Sequence, residues 1–280
     1  MSIVLSENHY GKSHVRLVRV ERHGTRHDLA DLSVDIQLRG DFAACYEQGD
    51  NRQVLPTDTM KNTVYALAHR EPIGEIEEFG LRLSDHFVSR NPQVSAARVA
   101  ISQASWKRIQ VGGQANEHSF LRCGEERRTT VVERDRGGAK VRSGLTGLII
   151  LKTTGSAFEG FIQDEYTTLG ETKDRIFGTS VTADWTYRSA DPSYATYWHT
   201  VRETVLEVFA GHDSRGVQHT LYAMGETILD RVDSIDEIHI AMPNRHCLLV
   251  DLSPFGMENP NEVFLPIDEP HGLIEATLKR

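Results

Sequence analysis

Five short polar clusters at predicted strand and helix ends hold residues able to do chemistry. They are Y-G-K-S-H with Lys12, P-T-D-T-M-K-N with Thr57 and Asp58, S-A-F-E-G-F-I-Q-D-E-Y-T-T-L-G-E-T-K-D-R ending in Arg175, G-V-Q-H-T with Gln218, and M-P-N-R-H with Asn244 and His246. Lysine and histidine can carry protons, arginine presents a planar fork of donors, and the amides of Gln and Asn both donate and accept. The second cluster carries more polar chemistry than its position needs. Pro56 ends what precedes it, Thr57 or Asp58 can cap the first free amides of a helix, and Val64, Leu67 and Ala68 begin its apolar stripe. A cap uses one hydroxyl or carboxylate, so the remaining polar residues through Lys61 and Asn62 are surplus.

Other chemistries lack support. Among 13 histidines, His23 and His27 stand four apart, a metal-binding spacing only on a helix, and Gly24 between flanking strand patterns makes the segment a turn. H-E-x-x-H, the phosphate-binding loop, G-x-G-x-x-G and G-x-S-x-G are all missing, so no metal site and no cofactor is expected. Cys45, Cys123 and Cys247 are odd in number, widely separated and form no C-x-x-C pair, which argues against a disulfide framework and a cysteine zinc site and fits a reducing compartment. The net charge of -9 disfavours nucleic acid and acidic lipid as partners. The basic stretch at 125–142 alternates in sign and reads as a solvated hairpin. No apolar run approaches the roughly 20 residues that cross a bilayer, and the first residues lack the pattern of a secretory signal. A cytoplasmic protein without membrane contact is expected.

The elements that must position these clusters repeat. Period-two patterns at 14–22 and 29–40 pair as a hairpin through H-G-T-R-H-D. Helical stretches follow at 58–69 and 73–90, separated by Pro72 and closed by Asn91-Pro92, and strand patterns return at 94–109, in H-S-F-L-R-C-G and in R-R-T-T-V-V-E-R-D. The second half runs in the same order: strands in K-V-R-S-G-L-T-G-L-I-I-L-K-T-T and T-S-V-T-A-D-W-T-Y-R-S, helices at 192–210 and 215–230, then strands in D-E-I-H-I-A-M-P-N-R-H-C-L-L-V-D-L and E-V-F-L-P. Two strands, two helices, two strands, twice over, predicts a tandem duplication with units 1–137 and 138–280. Antiparallel hairpins with helices between them predict the α+β class. The other face and the edges of such sheets need covering, and closure into a barrel by oligomerisation is one common solution.

Taken together and in order, the clusters carry a resemblance. The early G-K-x-x-V-R, T-D-x-x-K-N-T-x-Y, F-x-G-F-x-x-D-E-Y-T-T-L-x-E-T-x-D-R-I, V-Q-x-T-x-Y and P-N-x-H are spread over nearly the whole chain. The sequence resembles the urate oxidase (uricase) family, cofactor-independent enzymes of the tunnelling fold (T-fold). The resemblance implies two tandem T-fold units with helices on one face of each sheet, assembling as a homotetramer whose sites lie at subunit interfaces. It implies oxidation of urate by dioxygen and water to 5-hydroxyisourate and hydrogen peroxide. The C-terminal T-L-K-R lacks the S-K-L-type tripeptide of peroxisomal members, which fits the cytoplasm of a bacterium-like host.

The resemblance also implies roles. Arg175 and Gln218 grip the flat purine from its edge beside the Val217 backbone, and Phe158 stacks on it. Asn244 and Thr57 stand above the purine plane where dioxygen and then water bind. Lys12, Thr57 and His246 form a proton relay, Asp58 orients the substrate through its backbone, and Leu169 and Ile274 wall the pocket. Lys12 and Thr57 come from one subunit and Phe158, Arg175, Gln218 and His246 from its neighbour.

Elementary chemistry agrees. The amide-like edge of urate needs a planar bidentate donor and a group that both donates and accepts. An electron-rich purine anion can reduce dioxygen directly if the protein removes a proton and holds the oxygen in place. Singly, each residue has a plainer account: Arg175 as an exposed helix-end cation, Phe158 as core, Gln218 at a helix start, His246 a core histidine, Asn244 a turn residue. The alternatives are a pterin enzyme of the same fold or a purine-binding protein without turnover, which needs Arg175, Gln218 and Phe158 but neither Lys12 nor Thr57.

Overall fold

The computed structural model describes residues 3–188 and 192–280. The chain forms two compact units, one ending at Gly144 and the other starting at Leu145.

In the first unit β1 (Tyr10–His23) and β2 (Arg26–Gly40) form an antiparallel hairpin. It closes more tightly than the H-G-T-R-H-D connection read from the sequence. His23 pairs with Arg26 and Arg22 with His27, and Gly24 at φ 68° supplies the left-handed residue that a two-residue hairpin turn requires. A short helix that the sequence patterns missed, α1 (Ala43–Gln48), precedes α2 (Thr57–Arg70) and α3 (Ile76–Arg90). The long strands β3 (Val94–Val111) and β4 (Gln114–Asp135) complete the order β1-β2-β3-β4. H-S-F-L-R-C-G and R-R-T-T-V-V-E-R-D, expected as two strands, are one. Between the pairs Ala104–Arg127 and Trp106–Arg122 the register slips, with Gly124 at φ 52°, so a bulge absorbs what reads as a break.

The core follows from periodicity. Leu32, Val34, Ile36 and Leu38 alternate along β2 and are fully buried. Ile76, Phe79, Leu83 and Phe87 recur at helical spacing on α3 and pack with them, as do Met60 and Val64 of α2. Each such side chain contributes roughly 1.5 to 3 kcal/mol on burial.

The second unit repeats the plan. β5 (Gly138–Lys152) carries the chain into it, and β6 (Phe177–Tyr187), α4 (Tyr194–Gly211), α5 (Val217–Arg231) and β7 (Ile235–Ala241) follow. The strand pattern expected to end β6 runs to Ser189, which lies outside the described residues. Val181, Ala183 and Trp185 of β6 pack with Val205 of α4, Met224 and Ile228 of α5 and Ile238 of β7. The strands expected last need correction. D-E-I-H-I-A-M-P-N-R-H-C-L-L-V-D-L splits at Pro243, which cannot donate to a ladder. Its second half, β8 (Asn244–Leu249), pairs with β9 (Phe264–Ile267) in a separate hairpin that touches β6 through Thr179–Asn244. The partner of β7 is instead β10 (Glu275–Lys279), too short and polar to stand out in the sequence. The strands of the second unit therefore run in the order β5-β6-β7-β10, matching those of the first, with β8 and β9 off this path.

The α+β class holds for both units. Among the described residues no helix is long and apolar enough to cross a membrane.

Candidate active site

The start of β1 is built to place Lys12. A Cβ on Gly11 would fall on the Ile36 carbonyl oxygen of β2, so only glycine lets the strands approach this closely. Lys12 pairs with Ile36 and Val15 with Val34, so the register slips in between. His14 takes a left-handed φ of 55° there, its N–H donating to Asp35 Oδ1 at 2.8 Å. Such a bulge bends its strand and re-aims side chains. The neighbouring Tyr10 ties this strand to the entry of α2: its hydroxyl accepts from the Leu55 N–H at 2.8 Å and donates to the Leu55 carbonyl at 3.0 Å.

The entry to α2 corrects an expectation. Pro56, not Thr57 or Asp58, holds the N-cap position, and no side chain caps the helix. Thr57 is its first residue and half-buried. Asp58, one residue into the positive end of the helix dipole, accepts from Lys61 Nζ at 2.5 Å and Asn62 Nδ2 at 3.0 Å. Lys61 above all, with Asn62 and the charge of Lys12, holds the Asp58 carboxyl below its ordinary range. The surplus polar residues thus serve one another, and Lys12 is close enough for its charge to be felt at Asp58.

In the second unit, residues 153–176 form a long loop between β5 and β6, stitched to the residues before α5. Ala157 N–H donates to the Ser214 carbonyl at 2.7 Å and Ser214 N–H to the Gly155 carbonyl at 3.0 Å. Phe158 and Thr172 exchange backbone bonds of 2.8 and 3.0 Å, folding the loop on itself. Asp174 accepts from Thr154 Oγ1 at 2.6 Å and from the Ser156 N–H at 3.3 Å, contacts that keep its carboxyl below the usual range and fix the base of the loop.

This scaffold gathers Phe158, Arg175 and the start of α5. The Arg175 guanidinium carbon lies 5.1 Å from the centre of the Phe158 ring, a cation–π contact. Phe158 stacks on Phe161, ring centres 4.8 Å apart and planes 14° from parallel. Gly216 caps α5 with a bare backbone beside the Phe158 ring; a Cβ there would meet it at 3.7 Å. Val217, buried, and Gln218, exposed, open the helix, where backbone N–H groups have no partner within the helix. Arg175 makes no ion pair among the described residues, and burial pushes its guanidinium below the ordinary value.

Asn244 and His246 form a further pair on β8, with Asn244 Nδ2 3.4 Å from His246 Nδ1. Asn244 N–H donates to the Gly272 carbonyl at 2.8 Å and Met242 N–H to the Ile274 carbonyl at 2.7 Å, while the Ile274 side chain packs on the core of the unit. Leu169 stands 58% exposed on the long loop. A groove of about 580 Å³ in the first unit, between Arg39, Arg98 and Lys140, contains none of these residues. Among the described residues no cluster of three or more His, Cys, Asp or Glu side chains can hold a metal ion.

A half-buried guanidinium without an ion-pair partner among the described residues, beside an aromatic face and near a helix N-terminus, is an arrangement that can hold a flat, electron-rich ligand. The uricase family model matches residues 8–133 and 141–275, nearly the whole chain. The chain belongs to the uricase family. The uricase of Arthrobacter globiformis is 46% identical over 278 residues, 99% of this chain and 90% of that one. The uricase of Dictyostelium discoideum is 40% identical, covering 99% and 97%. The crystal structure of the Arthrobacter globiformis uricase superposes with a TM-score of 0.94 over 100% of this chain and 96% of that one. That of a uricase from Bacillus fastidious, 25% identical, gives 0.86 over 97% and 93%. The two repeated units are thus the tandem T-fold units of a uricase.

Sequence reading missed residues that shape each unit's share of these candidates: Tyr10 and Gly11 around Lys12 in the first unit, and Asp174 and Gly216 around Phe158 and Arg175 in the second. All four stand inside quoted clusters, and glycine beside a lysine at a strand start is a legible sign of close backbone approach. The Tyr10 bridge to Leu55 joins distant segments and leaves no local pattern.

Proposed function

We propose that the protein is a urate oxidase, converting urate, dioxygen and water to 5-hydroxyisourate and hydrogen peroxide without a cofactor. The observation that carries this reading is Arg175, a cation partly withdrawn from water and without a carboxylate partner among the described residues, lying over Phe158. A desolvated charge left unpaired is a cost to the fold, and an anionic purine stacked on Phe158 offsets it.

Arg175 supplies two parallel N–H donors to the purine edge, and the Gln218 amide supplies one donor and one acceptor to the rest of that edge. The backbone N–H of Val217 at the start of α5 adds a fixed dipole favouring negative charge. Lys12 and Thr57, with His246, take the proton that leaves urate, making it electron-rich enough to transfer two electrons to dioxygen. Dioxygen leaves as hydrogen peroxide with two protons, and water then adds to the oxidised ring where Thr57 and Asn244 hold it. Every atom of urate, O2 and H2O is found in 5-hydroxyisourate and H2O2. Asp58 orients the substrate through its backbone, and Leu169 and Ile274 close the walls.

The same reading makes the protein a homotetramer whose T-fold units close into a barrel, each site combining Lys12, Thr57 and Asp58 of one chain with the remaining residues of another. Ile162 and Tyr166, 94% and 81% exposed on the loop that carries Phe158, support a surface covered in an assembly. Three free cysteines support a reducing compartment such as the cytoplasm. Urate absorbance, followed on chelator-treated protein with dioxygen present or removed, tests the function. Loss only with dioxygen is expected, and no loss under either condition overturns the reading.

A further inference from the structure

The two units can be laid on each other residue by residue. One displacement along the chain carries Ile76, the first residue of α3, onto Val217, the first of α5, and Arg90 onto Arg231 at their ends. It carries Val94, which opens β3, onto Ile235, which opens β7. The buried faces agree, Leu83 falling on Met224 and Phe87 on Ile228. Glu77 therefore stands in the first unit where Gln218 stands in the second.

The surroundings of these two residues differ. Gln218 is exposed on an open shelf. Glu77 is fully buried, its Oε2 2.6 Å from Arg128 Nη2 of β4 and its Oε1 accepting from Ser143 Oγ at 2.5 Å. Arg128 also reaches Glu75 at 2.5 Å and is itself only 12% exposed. Burial raises the Glu77 carboxyl above its ordinary value, with Arg128 opposing that rise. The Nη2 of Arg128 stands against this buried carboxylate at the position where, in the proposed site, a ligand edge stands before Gln218. A carboxylate accepts only, so the edge it selects carries N–H donors throughout, unlike the mixed edge that an amide serves.

We propose that the first unit contains a second, closed copy of the heterocycle-edge site, in which Glu77 is the anchor and the Arg128 guanidinium is its built-in occupant, so that removing this side chain opens a binding site for small planar amidine or guanidine cations. The correspondence of Glu77 with Gln218 comes from the chain itself, while the meaning given to Gln218 rests on the proposed function.

The test is chemical rescue in the full-length protein. Arg128→Ala, which leaves Glu77 buried and unpaired, should lower the melting temperature by about 10 °C. Millimolar guanidinium or methylguanidinium chloride should return roughly half of that loss, whereas sodium and tetramethylammonium chloride should return none. The pair Glu77→Leu with Arg128→Ala should show no guanidinium response. If Arg128→Ala does not fold, refolding yield with and without guanidinium reads the same contrast. A response no larger than that to sodium, in melting or in yield, overturns the closed-site inference. Rescue without urate oxidation by the unaltered chain overturns only the reading of Gln218.

Discussion

Arg175 lies over the ring of Phe158, 5.1 Å from its centre, without any carboxylate among the described residues to neutralise it. The sequence separates the two by a loop whose fold is set elsewhere, by Asp174 at its base and by the Ser214 carbonyl. The pair is therefore held in place before any ligand arrives, so binding need not pay for ordering it.

Arg175→Ala would remove the proposed contact with the purine edge while leaving the loop's backbone and Asp174 bonds intact. Affinity for a non-reactive purine analogue should fall by about 2 to 4 kcal/mol, roughly 30-fold to several-hundred-fold. Arg175→Lys should recover little, because a point charge cannot make two parallel bonds. Titration calorimetry reads both, and unchanged affinity in Arg175→Ala refutes the anchor.

Tyr10→Phe tests the brace between β1 and α2. It deletes two hydrogen bonds to the Leu55 backbone, a stability cost of about 1 to 3 kcal/mol. It also frees Lys12 to move relative to Thr57. Because small misplacement of reacting groups is costly, kcat should fall roughly 10-fold with analogue affinity preserved. An equal loss in both would mean that Tyr10 serves only the fold.

Acid should destabilise the protein before its carboxylates titrate. Burial, then the neighbouring His219 and Lys152, hold the His212 imidazole below its ordinary value of 6.5, and burial with Arg90 and Arg70 does the same for His86. The folded chain thus binds these protons less readily than the unfolded one. Their contribution is full above pH 6.5 and is lost as pH falls through the lowered values. Melting temperature measured from pH 8 down to about 5 should decline, less steeply in His212→Asn. Equal slopes in variant and parent would remove His212 from the account.

Much of this architecture was legible in the sequence, for reasons visible in particular residues. Leu32 to Leu38 alternate because β2 has one buried face, and Ile76 to Phe87 recur at helical spacing because α3 has one buried stripe. The fourth strand of the second unit was hidden because Glu275 to Lys279 is short and gains its identity only by pairing with β7. At the site, motif order named the residue types, but nothing local told that Pro56 rather than Thr57 would stand at the N-cap of α2. Nor could it tell that Asp58 would turn to Lys61 and Asn62. The brace from Tyr10 and the burial of Glu77 against Arg128 join segments 45 and 51 residues apart, beyond the reach of any periodicity.

Shared sites have a numerical signature. Lys12→Met and Arg175→Ala chains, each inactive alone and co-expressed in equal amounts, should assemble at random in a symmetric oligomer. A site works when its lysine comes from an Arg175→Ala chain and its arginine from a Lys12→Met chain, giving about a quarter of the unaltered activity. Mixed oligomers with no activity above either parent would place both residues of a site in one chain.

The central claim is direct oxidation of urate by dioxygen, with all of the chemistry supplied by side chains. It is tested most directly by stoichiometry on chelator-treated, flavin-free protein, with an oxygen electrode, urate absorbance and a peroxide assay run together. Consumption of one dioxygen and release of one hydrogen peroxide per urate lost, unchanged by added metal or flavin, is the predicted result. Turnover that requires a stoichiometric metal or flavin, or urate bound but never consumed, would contradict it.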